Sequence, residues 1–348
     1  MKDTATQQNQ IHSEFDDEVQ SYFQDEDENT LKDDAGIIVI KSIGDPKSND
    51  GRKLNNQYRG VLGRKLPFRK VERELEQLHT ELCNKFPWSE NCIDVLIGQL
   101  CMQAYFSSNY FKLPPILLAG PQGTGKTTLL KELCAACDVP FQLVSGAIPD
   151  SGGLFGVSRG WATSKPSALF NFMVDNNTVN PVVFIDELDK ALAITENKNG
   201  NLQSCLLTMM GAKDWYDPCL LSALDLSQVS FLASANDVDV IYGPLRDRFM
   251  ILEMSEPGIE HIDICLENIR REFQDMLGCQ QLPYFPELAT RLVKRYRATA
   301  DGSISLRSLK KEYADELRHF AMQQRGFEVK PSECKTTEHL PKVGFALH

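Results

Sequence analysis

The chain lacks any apolar run approaching the ~18 residues that a helix needs to cross a bilayer, so a transmembrane helix is excluded. Its N-terminus puts acids where an export signal needs a basic flank and an apolar stretch, which predicts a soluble cytoplasmic protein. Cysteine is sparse, ten in 348 residues. That is too few for a disulfide scaffold, and a cytosolic chain keeps its thiols reduced. Cys134 and Cys137 have Cys-x-x-Cys spacing, but they close an apolar helical stretch (Leu129, Leu130, Leu133) and no second Cys or His pair follows at zinc spacing. The six histidines never pair at i,i+4, so a metal site made only of protein ligands is not expected. A basic excess is missing too. The net charge is −11, and residues 1–36 hold eleven acids against Lys2 and Lys32. They account for nine of those charges and leave −2 for the rest, so the acidity identifies no partner.

The composition divides the chain. Residues 1–50 read as an acidic, Gln/Asn-rich, disordered arm, with a short isolated strand at Ile37–Ile40. Residues 51–112 begin with seven bases and no acid between positions 52 and 70 (Arg52, Lys53, Arg59, Arg64, Lys65, Arg69, Lys70). Nucleic acid would need such a patch, whereas pairing with the acidic arm or plain solvation needs nothing more. Helical spacing follows through Val71, Leu75, Leu78 and Leu82, and again from Ser89 through Ile93, Leu96, Ile97 and Leu100. Apolar strands then alternate with amphipathic helices: Ile116–Ala119, Phe141–Val144, Val182–Ile185 and Phe231–Ala235. Strands apolar on both faces predict an α/β fold, a parallel sheet covered by helices, over 113–255. From about Pro257 only helical patterns remain, which predicts a small helical domain over 256–326 and a tail over 327–348.

Gly120-Pro-Gln-Gly-Thr-Gly-Lys126-Thr127 is a complete G-x-x-x-x-G-K-[ST] between a buried strand and a helix. Backbone N–H groups of Gly120, Pro121, Gln122, Gly123, Thr124, Gly125 and the helix start through Thr128 form the cradle that such a loop offers to phosphates, proline excepted as a donor. Lys126 reaches the β- and γ-phosphates and the Thr127 hydroxyl ligates Mg²⁺, so ATP and magnesium are the expected cofactors. Val182-Val-Phe-Ile-Asp186-Glu187 ends a buried strand in two acids. Asp186 is placed to hold the Mg²⁺ shell and Glu187 to polarise an attacking water. A DE pair at a helix start would need no preceding apolar strand. Asn236 ends the next apolar strand, where it can contact the γ-phosphate or orient water, and Arg246 and Arg248 lie in Gly243-Pro-Leu-Arg-Asp-Arg-Phe249.

The order of these four blocks resembles the AAA+ ATPases, and within them the ATPase module of Lon proteases, over roughly residues 71–325. The resemblance implies Walker A at 120–128, Walker B at Asp186 and Glu187, sensor 1 at Asn236 and the arginine finger at Arg248. Arg246 has its counterpart instead in the Holliday-junction branch-migration motors. It also implies sensor 2 at Arg307, in Ser305-Leu-Arg-Ser-Leu-Lys-Lys-Glu312, and a pore-loop aromatic at Trp161 in a Gly/Ser-rich stretch. Trp is more often a core residue, and that alternative stands beside the pore reading.

Only about twenty residues follow Arg325, with no context for the Ser–Lys protease dyad of Lon. The resemblance therefore implies an ATP-hydrolysing motor without its own protease. Such a motor would work as a homo-oligomeric ring, a hexamer, that remodels a protein substrate or serves an effector partner. A DNA-associated motor or loader, or a slowly turning nucleotide-switched scaffold, is the alternative. The basic 52–70 segment favours the DNA reading and the weak core charge opposes it; intact Glu187 opposes the scaffold. No membrane partner is expected.

Overall fold

The computed structural model describes residues 36–147, 154–161, 163–193, 202–297 and 304–327. The acidic residues 1–35 and the tail beyond Phe327 lie outside these ranges. The elements run β1 (Gly36–Ile38), α1 (Asn49–Tyr58), β2 (Lys65–Pro67), α2 (Leu75–Lys85), α3 (Glu90–Phe106), β3 (Ile116–Ala119), α4 (Lys126–Ala136) and β4 (Phe141–Ser145). There follow α5 (Ala168–Asp175), β5 (Val182–Asp186), α6 (Leu202–Met209), β6 (Trp215–Asp217), β7 (Ser222–Leu224), β8 (Ser230–Ala235), α7 (Gly243–Arg246) and β9 (Met250–Glu253). Three helices close the described chain: α8 (Ile262–Leu277), α9 (Pro286–Arg297) and α10 (Leu306–Gln324).

The chain divides into two compact units. One comprises residues up to 79, 94–119 and 127–252; the other comprises 80–93, 120–126 and the chain from 253 onward. The first holds a five-stranded sheet in the order β4-β5-β8-β3-β9. β4 with β5, β5 with β8, and β8 with β3 are parallel. β3 and β8 are buried at every residue and β5 at four of five, which is why these strands carry no polar alternation. The registers Ala119↔Ala235 and Ser145↔Asp186 bring the carboxyl ends of these strands to one edge, where an α/β sheet binds its ligands.

The segment expected to end a disordered arm is instead part of this first unit. Ile37 pairs antiparallel with Leu66, and Ile40 bridges to Leu224 of the β6–β7 hairpin. Val39, Ile40, Ile43, Tyr58 and Leu66 are buried in the same apolar cluster as Phe170 and Phe231. The Tyr58 hydroxyl donates to Asn171 Oδ1 at 2.7 Å, and Ser48 caps α1 by accepting the Gly51 N–H at 3.0 Å. Residues 36–50 are therefore part of the folded unit, with Val39, Ile40 and Ile43 in its core, and the strand at 36–38 is paired rather than isolated. Of the seven bases between 52 and 70, Arg69 is half-buried and donates to the Asn176 carbonyl at 3.2 Å; the other six are exposed.

In the second unit α8, α9 and α10 bury Ile262, Leu266, Ile269, Leu288, Leu292, Leu309 and Tyr313. The Tyr313 hydroxyl donates to the Pro283 carbonyl at 3.1 Å, and its ring meets Phe273 and Phe285. α8 stops where Gly278 turns left-handed, at φ 63°. Cys134 and Cys137 are buried, and burial raises both thiols, Cys137 to about 11, so neither presents a thiolate. Among the described residues no helix is long and apolar enough to cross a membrane.

Candidate functional site

The loop 120–126 continues from the end of β3 into α4, and its contacts are those of the second unit. Gly120, Gly123 and Gly125 adopt φ of 147°, 82° and 99°, which L-residues rarely do. Space is denied as well. A Cβ on Gly120 would lie 2.3 Å from the Met254 carbonyl, and one on Gly123 would lie 2.5 Å from Ser305 Oγ. The Gly123 carbonyl accepts the Leu306 N–H at 2.9 Å, tying the loop to the first turn of α10. Arg307 is exposed in that same turn. On another side the buried Trp88 indole donates to the Thr124 carbonyl at 2.9 Å. The Lys126 ammonium is held at 2.7 Å by the carbonyls of Gly120 and of Pro121. Pro121, Gln122 and Thr128 are exposed.

In the first unit four of the expected residues, Thr127, Asp186, Glu187 and Asn236, lie at the carboxyl edge of the sheet. Thr127 Oγ1 lies 3.3 Å from each carboxylate oxygen of Asp186. A hydroxyl and a carboxylate are hard oxygen donors. Because substrate phosphates and waters complete an octahedral magnesium shell, this pair fits the ion without further protein ligands. Glu187 follows β5 with φ 55°, a left-handed conformation unusual for a side chain of its kind. Asn236 follows β8 directly and is half-buried.

Two residues here went unread in the sequence. The Ser234 hydroxyl, 1% exposed in the middle of the sheet, donates to Asp186 Oδ1 at 2.6 Å and accepts the Glu187 N–H at 2.9 Å. Gly146, just past β4, donates its N–H to the Asp186 carbonyl at 2.7 Å, and a Cβ there would lie 2.3 Å from the Glu187 carbonyl. The signal for Ser234 was a hydroxyl between Ala233 and Ala235 in a fully buried strand, since buried polar atoms need partners.

The remaining expected residues sit apart from that cluster in their bonding. Arg248 is exposed and donates to the Leu207 carbonyl at 2.7 Å, while Arg246 pairs with Asp239 at 3.2 Å. Trp161 is 70% exposed, which removes the core alternative for it. Its turn follows Gly160, at φ 100°. Arg159 anchors that turn by donating to the carbonyls of Gly44, Cys219 and Leu220 at 2.7, 2.9 and 3.2 Å.

A parallel sheet with a glycine phosphate loop after one strand and an acid pair after another defines a P-loop nucleotide-binding protein. Residues 116–256 match the family model of the AAA proteins, the ATPase family associated with various cellular activities. Residues 116–256 thus form an AAA ATPase domain, and the chain is similar to parts of Lon proteases. It is 37% identical to the Lon protease of Methanosphaera stadtmanae over 162 residues, 45% of this chain and 19% of that protein. Against the Lon protease of Fusobacterium nucleatum subsp. nucleatum it is 28% identical over 242 residues, 66% of this chain and 30% of that one. Lon protease 1 of Bacillus subtilis is 29% identical over 210 residues, 59% and 26% respectively. The chain thus spans less than a third of the length of these relatives. A solved structure of Hsp104 with ATPγS and FITC casein shares the fold, with a TM-score of 0.56 and 14% identity over 72% of this chain and 48% of that one.

Proposed function

We propose that this chain is an ATP-driven motor that remodels or unfolds protein substrates as a homo-oligomeric ring, a hexamer. In this reading the α/β domain (113–255) binds ATP, and a helical lid (256–326) follows it. The loop 120–128 wraps the phosphates, with Lys126 on the β- and γ-phosphates. Thr127 and Asp186 would hold Mg²⁺, which when bound would supply charge neutralisation at the transferring phosphoryl group. Glu187 draws a proton from the attacking water and Asn236 orients that water, so that ATP and water yield ADP and phosphate. Arg307 senses the nucleotide from α10. Arg248 serves the γ-phosphate of a neighbouring copy: its guanidinium is at the surface, bonded to Leu207, and so is available to another subunit.

The observation that carries the protein-remodelling part is Trp161, an exposed indole on a glycine turn anchored by Arg159. A large apolar face of this kind holds any passing polypeptide without reading its sequence. The test compares ATP turnover with a permanently unfolded polypeptide, with duplex DNA and with neither. Stimulation by the polypeptide, lost in Trp161→Ala at unchanged melting temperature, is the expected result. Stimulation by DNA alone would transfer the proposal to a DNA-associated motor.

A further inference from the structure

We infer that Ser234 is a positioning residue for ATP hydrolysis, acting through both acids of the β5 end; this rests on the ATPase reading above. One oxygen serves two tasks. Its proton goes to Asp186 Oδ1 at 2.6 Å, and its lone pair receives the Glu187 N–H at 2.9 Å. The first contact restrains the Asp186 carboxylate, both of whose oxygens lie 3.3 Å from Thr127 Oγ1, because a carboxylate gripped at Oδ1 by a short hydrogen bond cannot rotate freely. The second contact falls on the amide of a residue whose φ is 55°.

A glutamate does not hold that conformation by itself; it persists where the surroundings over-determine it. Here they do so from both neighbouring strands. On the β8 side Ser234 takes the Glu187 N–H. On the β4 side the Gly146 N–H takes the Asp186 carbonyl at 2.7 Å, and glycine at 146 leaves room for the Glu187 carbonyl. The Lys190 N–H then accepts no freedom in the next turn, donating to the Glu187 carbonyl at 2.9 Å. The peptide between the two acids is thus clamped at its nitrogen and at both flanking carbonyls. Of these clamps only the Ser234 bond comes from a side chain. Ser234 itself is 1% exposed and flanked by apolar residues, so its hydroxyl serves no other solvent-facing purpose. Orienting partners of this kind typically change metal affinity or activity by ~10–100-fold when removed.

The experiment uses the full chain with Ser234→Ala, Ser234→Thr and Glu187→Gln beside the parent. Parent turnover abolished by Glu187→Gln establishes the underlying reading; absence of any parent turnover would sink that reading and not this one alone. Given it, Ser234→Ala is expected to lower kcat ~10–100-fold while the dissociation constant for ATP without Mg²⁺ stays within about two-fold, since the phosphate loop is untouched. The gain in ATP affinity on adding Mg²⁺, read by fluorescent-nucleotide titration, should shrink in the same variant. Ser234→Thr, which keeps the hydroxyl, should recover most of both. A Ser234→Ala chain with parental kcat and parental Mg²⁺ dependence overturns the inference. So does a variant in which Mg²⁺-free binding and kcat fall together with the melting temperature, because that is the pattern of general damage.

Discussion

Replacing Gly123 by alanine isolates the conformational demand of the phosphate loop. Gly123 sits at φ 82°, and an added Cβ would lie 2.5 Å from Ser305 Oγ but 3.6 Å from the Arg307 nitrogen. The near contact is the terminal hydroxyl of Ser305 at the N-cap of α10, which makes no capping bond there and can rotate away, leaving its Cβ at an ordinary 3.5 Å. What remains is the left-handed backbone, which costs an L-residue about 1–2 kcal/mol. If only the native loop geometry binds phosphate, ATP affinity falls by that amount, about 5- to 30-fold. The Gly123 carbonyl also holds the Leu306 N–H at 2.9 Å, so a loop that relaxes releases the first turn of α10 and lowers the melting temperature with it. Nucleotide titration and thermal melts on Gly123→Ala are the assay, with Gly123→Ala/Ser305→Ala as the companion. The double variant should recover little, because the strain lies in φ. Full recovery would place the cost in the steric contact, and parental affinity in the single variant would refute the argument entirely.

Arg248→Ala should leave ATP affinity unchanged and lower turnover by ~10³-fold or more, with partial rescue on mixing with Glu187→Gln subunits. A severe defect in Arg246→Ala alone would move the finger to the residue that pairs with Asp239. Gly98 faces solvent within α3 with nothing near its would-be Cβ, so Gly98→Ala should stabilise the fold by ~0.5–1 kcal/mol in urea melts; a loss would contradict that. The Lys112 ammonium donates to the Ser227 and Val229 carbonyls, and burial lowers it from 10.5 to about 8. The unfolded chain therefore binds more protons between these values. Stability should rise with pH through that window by about 3 kcal/mol relative to Lys112→Met, and parallel pH profiles for the two proteins would dismiss the effect.

The sheet was legible because burial on both faces leaves an unbroken apolar run, and β3, β5 and β8 are such runs. The N-terminal segment was not. Val39, Ile40 and Ile43 form too short a patch to distinguish from a tail that is acidic up to Asp34. Only pairing with Leu66, 29 positions away in the chain by register from Ile37, and with Leu224 buries it. Periodicity reports what a segment can bury and is silent on which distant segment buries it.

The same limit operated within the functional residues. Asp186 and Asn236 were visible because each breaks an apolar run at its end, and Lys126 because it completes the glycine loop. Ser234 stands inside one, and serine in a strand is compositionally unremarkable. Its meaning depends on strand order. Ile185 of β5 is in register with Ala233 of β8, so the next residues along, Asp186 and Ser234, must meet. Nothing in the sequence makes β8 the neighbour of β5, since the two are separated by α6 and a hairpin. Once that adjacency is given, the buried-hydroxyl rule leaves Ser234 few partners other than the acids beside it. The left-handed turn at Glu187 follows for the same reason: it is imposed by hydrogen bonds from two other strands, and its own residue type would have argued against it.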